Sequence, residues 1–360
     1  MNSKKRILLL GDINSIHLKK WILELSKQHE LGVFSFNPVD NKSWLKEYKD
    51  AGVVIFTPEK PRKSKISYLL RFNLLTSAYR SFQPDIVHAH YASSYGFFGA
   101  QLNASNYLVS AWGSDVYDFP KRSLLHRALL KFVFRKAKVI LSTSDVMVEE
   151  IQNYTNKNVR VTPFGIRVDK FTPAPVNKDK FILGTVKSLE VVYGIDHLIK
   201  AFSIFHKDFP SSECHIYGKG SQLDELRSLA QKLGVQDSVF FKGFVDHEKV
   251  ANALNTFDIF CAFSREESFG VAILEASSCG LPVMVNNIGG LTEVVKNSIT
   301  GQIVDAEDHE LVAEKLLHLA KNKEERQTLG RNGRKFVESN YNWSNSVKIM
   351  NDIYDELSLK

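Results

Sequence analysis

The chain has 360 residues, 44 % hydrophobic and 24 % charged, enough apolar material for two cores at about 100–200 residues per domain. The apolar and aromatic content excludes a disordered chain, and only three widely spaced cysteines, Cys214, Cys261 and Cys279, exclude a disulfide scaffold and fit a reducing compartment. The net charge of +7 is uneven: residues 1–170 hold 26 basic and 14 acidic side chains, a balance of +12, and the remaining 190 hold 21 and 26, a balance of −5. A uniform cationic binder is thereby excluded, and the basic half calls for an anionic partner.

In chain order, MNSKKRILLLGD places basic residues before an apolar run of four residues closed by Gly11-Asp12, too short for a signal-peptide core. It reads as a buried first strand. Further strands are expected at 31–36, 53–56, 86–89, 107–111, 139–142 and 159–162, then at 181–186, 213–217, 239–242, 259–262, 282–286 and 301–304. Helical periodicity fills 195–206, 223–232, 247–255, 271–278 and 309–320, and Gly234 and Gly280 supply helix ends. The longest stretch without Asp, Glu, Lys or Arg, from Asp85 to Asp115, is rich in polar residues and predicts no membrane span.

Alternating strand and helix predict an α/β chain of two Rossmann-like, doubly wound domains. Residues 1–170 form the first, joined by a helix over 341–360, and 177–340 form the second. TPAPVN at 172–177 is the connector. Ligands of such sheets bind beyond the C-terminal strand ends, which predicts a site in a cleft between the domains.

The most informative segment is SREESFGVAILEASSCG at 264–280. A helix starting near Gly270 offers free N–H groups to a phosphate, and glycine allows close approach. Glu267 and Glu275 then lie roughly 12 Å apart along one side, at about 1.5 Å per residue. That span suits a nucleotide sugar, with one carboxylate at the hexose, the diphosphate at the helix start and the other carboxylate at the ribose. The plain alternative is an amphipathic helix with a solvated glutamate at each end. Against it, the apolar helix would bury Glu275, which then needs a polar partner.

This segment resembles the E-x7-E signature of the family 4 retaining glycosyltransferases of GT-B fold (glycosyl transferases group 1). PFGIRVDKFTP at 163–173, IYGKG at 216–220, FKGFVDHEKV at 241–250 and GLPVMVNNIGGLTEVV at 280–295 resemble the family in the family's order. The resemblance implies that Glu275 holds the ribose and that Glu267 contacts the transferred sugar. It implies that Ser268 and the amides of Phe269, Gly270 and Val271 receive the sugar and distal phosphate, and that the Val245 backbone meets the base. Lys187 stands where the family usually has an arginine on the pyrophosphate. Tyr193 replaces the usual second cation, and Trp112, in AWGSD, replaces the usual histidine, leaving Asp115 as a catalytic candidate facing sugar or acceptor. The usual Gly-Gly of the first loop is absent from GDINSIH at 11–17, and Gly11 is carried over as a donor-binding position.

No Asp-x-Asp triplet occurs, so no metal is expected. His88 and His90 mimic a ligand pair but lack a third partner, and they read as polar groups at a strand end beside the acceptor. The expected cofactor is none; the donor is a UDP-sugar or GDP-sugar. Basic stretches at 60–82 and 121–138 predict contact with an anionic membrane surface. In the second, Leu124, Leu125, Ala128, Leu129, Phe132 and Val133 share a helical face opposite Arg122, Arg127, Lys131 and Arg135. That face either rests on lipid or packs on the first sheet. The expectation is a cytoplasmic hexosyl or N-acetylhexosaminyl transferase, peripheral on the inner leaflet, acting on a lipid-linked or surface-polysaccharide acceptor, without nucleic acid. The alternatives are a nucleotide-sugar epimerase on the same fold and a non-catalytic nucleic-acid binder using the basic half.

Overall fold

The computed structural model describes residues 4–61 and 67–358. Residues 62–66 of the basic stretch expected over 60–82 lie outside the described residues. Thirteen strands follow in chain order among those described: β1 (Arg6–Leu10), β2 (Glu30–Phe34), β3 (Val54–Phe56), β4 (Ile86–His90), β5 (Tyr107–Ser110), β6 (Val139–Ser142), β7 (Val159–Val161), β8 (Phe181–Val186), β9 (Ser212–Tyr217), β10 (Val239–Gly243), β11 (Ile259–Ala262), β12 (Val283–Asn286) and β13 (Gly301–Val304). Each lies within two residues of its expected position. Their central members are continuous apolar runs because a parallel sheet covered by helices on both faces has no solvent side. In β1, the residues from Ile7 to Leu10 are all buried.

The first sheet has the order β3-β2-β1-β4-β5-β6-β7 and the second β10-β9-β8-β11-β12-β13, with parallel pairing throughout. Both orders reverse once, between β1 and β4 and between β8 and β11. In open sheets that switch point is where a crevice opens at the C-terminal strand ends.

The chain divides into two compact units, Met1–Pro163 with Ser346–Lys360, and Phe164–Asn345. Within the first, residues of the last helix, Trp343–Ser358, return to the sheet. The Tyr354 hydroxyl lies 2.7 Å from His88 Nδ1, Asp355 pairs with Lys5, and Glu356 meets Arg160 at 2.6 Å. Within the second, the helix Lys323–Asn340 packs so closely that a Cβ on Gly330 would stand 1.9 Å from the Gly280 carbonyl oxygen. Cys214, Cys261 and Cys279 are buried free thiols, and burial pushes all three up in pKa, Cys279 to about 12.

One face differs from expectation. In the helix Leu124–Lys136 the buried residues are Leu130, Val133 and Phe134, whereas Leu124 and Leu125 are 85 % and 66 % exposed. Val133 belongs to both arcs, but the 3.6-residue period carries the buried one through 130, 133, 134 and 137 rather than 124, 125 and 128. Leu124, Leu125 and Ala128 therefore share the exposed side with Arg127, Lys131 and Arg135.

Candidate functional site

In the second unit the switch point places the ends of β8 and β11 side by side. Lys187 directly follows β8, and its N–H bonds the Tyr217 carbonyl at 3.0 Å. Beside it Gly218, after β9, has φ 151°, and a Cβ there would stand 1.9 Å from the Lys187 carbonyl oxygen, so only glycine lets the ends of β8 and β9 meet. The Lys187 ammonium pairs with the Glu267 carboxylate; the two side chains are 10 % and 15 % exposed. The Ser264 hydroxyl donates to the same carboxylate at 3.4 Å.

Tyr193 occupies the position expected to lack a cation, and its ring centre lies 4.9 Å from the Lys187 ammonium. The ring gives the lysine a π face to rest on. The turn Val191–Tyr193 that carries it is pinned by Arg265, whose guanidinium meets both oxygens of Asp196 at 2.8 Å and the Val191 carbonyl at 2.7 Å. Burial alone would raise the Asp196 pKa, but its bonds to Arg265 and Lys200 hold it well below the usual carboxylate range. Arg265 is thus committed to the turn and does not replace the second cation.

The helix Val271–Ser278 begins after Gly270, at φ 97° and ψ 46°. The Ile273 N–H closes the first turn on the Gly270 carbonyl at 3.1 Å, and the N–H groups ahead of it, which an α-helix start leaves without a partner inside the helix, form a cradle for an anion. Phe269 is buried against Phe164 and Tyr341, with ring centres 6.1 and 5.6 Å away, and anchors the loop. Gly290 donates its N–H to the Glu267 carbonyl at 2.9 Å, and a Cβ on Gly290 would stand 2.5 Å from the Ser268 backbone. Glu267 and Ser268 are consequently held from both sides.

Glu275 is buried in that helix, and its Oε1 lies 2.9 Å from His247 Nε2. His247 is the polar partner that a buried carboxylate demands. It opens the helix His247–Leu254, two residues after half-buried Val245. Sequence reasoning did not single out His247; its signal was a histidine in the first helical turn after the strand leading to Val245. Lys187, Glu267, Ser268, Phe269, Gly270, Val271, Glu275 and Val245 all belong to this one unit.

Gly11 and Asp115 belong to the first unit. Gly11 follows β1 and lies against Leu18, where a Cβ would stand 2.7 Å from a leucine methyl. Asp115 is fully buried, and its two oxygens accept N–H bonds from Ala92, from Trp112 at 3.0 Å and from Gly113 at 2.8 Å. Burial raises its pKa, against which those backbone bonds act. Its carboxylate braces the turn after β5 and fixes where Trp112 stands. Tyr91, at the end of β4, has φ 88°; a non-glycine residue so placed costs about 1–3 kcal/mol, a strain that clusters at working sites.

His88 does not stand at an open strand end. It is fully buried, 2.7 Å from the Tyr354 hydroxyl and 2.8 Å from the Ser110 hydroxyl, and serves to attach the last helix. Among the described residues no group of three or more His, Cys, Asp or Glu side chains could hold a metal ion, and no helix is long and apolar enough to cross a membrane.

Two doubly wound parallel sheets, the second carrying this anion cradle between two glutamates, define the GT-B architecture. The chain belongs to the group 1, or family 4, glycosyltransferases: the model "Glycosyl transferases group 1" matches residues 167–336 and "Glycosyl transferase 4-like" matches 6–144. An uncharacterized glycosyltransferase of Methanocaldococcus jannaschii is 24 % identical over 96 % of this chain and 94 % of its own. The N-acetyl-alpha-D-glucosaminyl L-malate synthase of Bacillus anthracis is 22 % identical over 75 % of this chain and 74 % of its own. Among solved structures, Anabaena HepE in complex with UDP and glucose has the same fold, with a TM-score of 0.83 and 16 % identity over 98 % of this chain and all of that one.

Proposed function

We propose that the chain is a retaining, metal-independent glycosyltransferase that moves a hexose or N-acetylhexosamine from a UDP-sugar or GDP-sugar to a lipid-linked or surface-polysaccharide acceptor. The observation that carries this reading is the Lys187–Glu267 pair in the unit that also presents the start of the helix Val271–Ser278, with Glu275 held by His247 farther along it. Relatives and neighbours support the donor class, HepE being solved with UDP and glucose and the Bacillus anthracis relative being named for an N-acetylglucosaminyl product.

Breaking a glycosyl-phosphate bond leaves negative charge on the departing diphosphate. The amides at the helix start and the Lys187 ammonium are fixed donors for that charge, and Glu267 faces positive charge growing at the anomeric carbon. In the free protein Lys187 and Glu267 satisfy each other. A diphosphate then draws the ammonium toward itself and leaves Glu267 to the sugar, while Tyr193 keeps the lysine from swinging away. Asp115 acts through the loop it braces, and Glu275 takes the ribose hydroxyls.

Donor turnover in the presence of a chelator tests the reading. Lys187→Ala is expected to lower the turnover number by about 10²-fold or more, as loss of one such donor does. An unchanged turnover number removes Lys187 from the mechanism, and loss of wild-type turnover in the chelator removes metal independence.

A further inference from the structure

Lys187 rests against the turn Val191–Tyr193, and apolar packing holds that turn only weakly. Tyr193 packs against the core of the second unit, whereas Val191 and Val192 are 56 % and 38 % exposed. The firmer hold comes from the neighbouring loop. The Arg265 main-chain N–H bonds the Val192 carbonyl at 2.7 Å, and its guanidinium bonds the Val191 carbonyl at 2.7 Å and both oxygens of Asp196 at 2.8 Å. Asp196 stands in the first turn of the next helix, Ile195–Asp208, where Lys200 meets it at 3.1 Å. Between turn and helix, Gly194 at φ 61° comes so close to the loop that a Cβ would stand 1.9 Å from the Phe263 carbonyl oxygen.

The same loop carries Glu267, two residues after Arg265. One segment therefore reaches the Lys187 ammonium by two routes: directly through the Glu267 carboxylate, and through Arg265 and the turn to the Tyr193 ring, 4.9 Å from the nitrogen. The two contacts act differently on an incoming anion. A carboxylate repels it, whereas the ring attracts the ammonium through its quadrupole and carries no charge. A lysine kept against the ring can turn its N–H donors to a phosphate, and one that has lost the ring swings toward solvent.

Stability alone gives little reason for the fork. The Arg265 and Asp196 side chains are 36 % and 24 % exposed, and ion pairs this open to water contribute little to folding. Two parallel N–H···O bonds do define a geometry that a single charge contact leaves loose. A lysine at 265 would keep the charge and lose the planar fork.

We infer that Arg265 and Asp196 are positioning residues for the donor: their fork holds the turn so that Tyr193 keeps Lys187 within reach of the diphosphate. The diphosphate rests on the proposed function; the hold on Lys187 does not.

Two readouts on the full chain test this. Acetylation of the Lys187 amine by acetic anhydride, followed by mass spectrometry, needs no ligand, and UDP and GDP affinities are measured beside it by titration calorimetry. Arg265→Lys and Asp196→Asn are each expected to raise the acetylation rate of Lys187 about threefold or more and to weaken nucleotide binding about fivefold or more, the scale of coupling between neighbouring groups. Their melting temperatures are expected to stay close to that of the wild type, because the pair is exposed. Tyr193→Leu, which keeps an apolar side chain without a ring face, is expected to act in the same way. Combined with Arg265→Lys it is expected to add nothing, since both reach the lysine through the ring. Acetylation unmoved in both fork variants, effects that add, or a large fall in melting temperature, the mark of a merely structural pair, overturns the inference. A nucleotide held equally well by the wild type and the fork variants overturns it too. If acetylation rises as expected but the wild type binds neither nucleotide, the donor reading fails and the hold on Lys187 stands.

Discussion

His88 and His90 alternate with Ala89 on one buried strand, and burial lowers the pKa of both, His90 to about 3. The unfolded chain binds protons at both sites below pH about 6.5, whereas the folded one excludes them. Stability is therefore whole above pH 6.5 and falls as the pH drops toward 3, by up to about 1.4 kcal/mol per pH unit for each histidine. Urea midpoints measured from pH 7 to pH 4.5 are expected to decline, and His90→Phe to flatten the decline; a slope untouched by that substitution contradicts the burial. The sequence displayed both histidines but not their different fates, because which neighbours a side chain finds depends on the last helix, more than 260 residues away for His88 and Tyr354. Glu267 and Glu275 were legible for the opposite reason: the glycine and the helix that make sense of them are adjacent in the chain.

Among the elements, strand positions were read well because buried parallel strands are short apolar runs bounded by turn residues, visible without any partner. The exposed arc of the helix Leu124–Lys136 was misplaced because its apolar residues cover more than one side, and only the sheet decides which side is buried. Tyr193 was noted only for the cation it replaces, and its ring contact with Lys187 was not legible; His247 was hidden because it supports Glu275 through a bond 28 residues distant. At the junction of β8 and β9, Gly218→Ala forces a side chain onto the Lys187 carbonyl at a backbone angle unsuited to alanine. That strain is worth about 1–3 kcal/mol, at about 2–4 °C of melting temperature per kcal/mol for a unit of this size. Calorimetry is expected to show a melting temperature lower by several degrees together with weaker nucleotide binding; a variant that melts and binds like the wild type contradicts the close approach.

Over the whole molecule, the division of +7 into +12 and −5 separates two tasks. The acidic half holds the donor-binding candidates, one lysine and a helix start proposed to receive the diphosphate. The basic half presents Arg127, Lys131 and Arg135 beside exposed Leu124 and Leu125, a combination suited to an anionic lipid surface, where each cation contributes about 1 kcal/mol. In flotation at low salt the chain is expected to rise with phosphatidylglycerol vesicles and not with phosphatidylcholine ones, and Leu124→Asp with Leu125→Asp to weaken the association; no flotation with either lipid removes the membrane from the account. Whatever the acceptor, the proposed donor site is built from Lys187, Glu267 and Glu275. The most direct test is titration calorimetry of UDP and GDP with the full chain in a chelator, beside the Glu275→Ala variant. The account predicts binding of one of the two nucleotides without metal and a loss of tenfold or more in affinity when Glu275 is removed; binding of neither, or binding indifferent to Glu275, contradicts it.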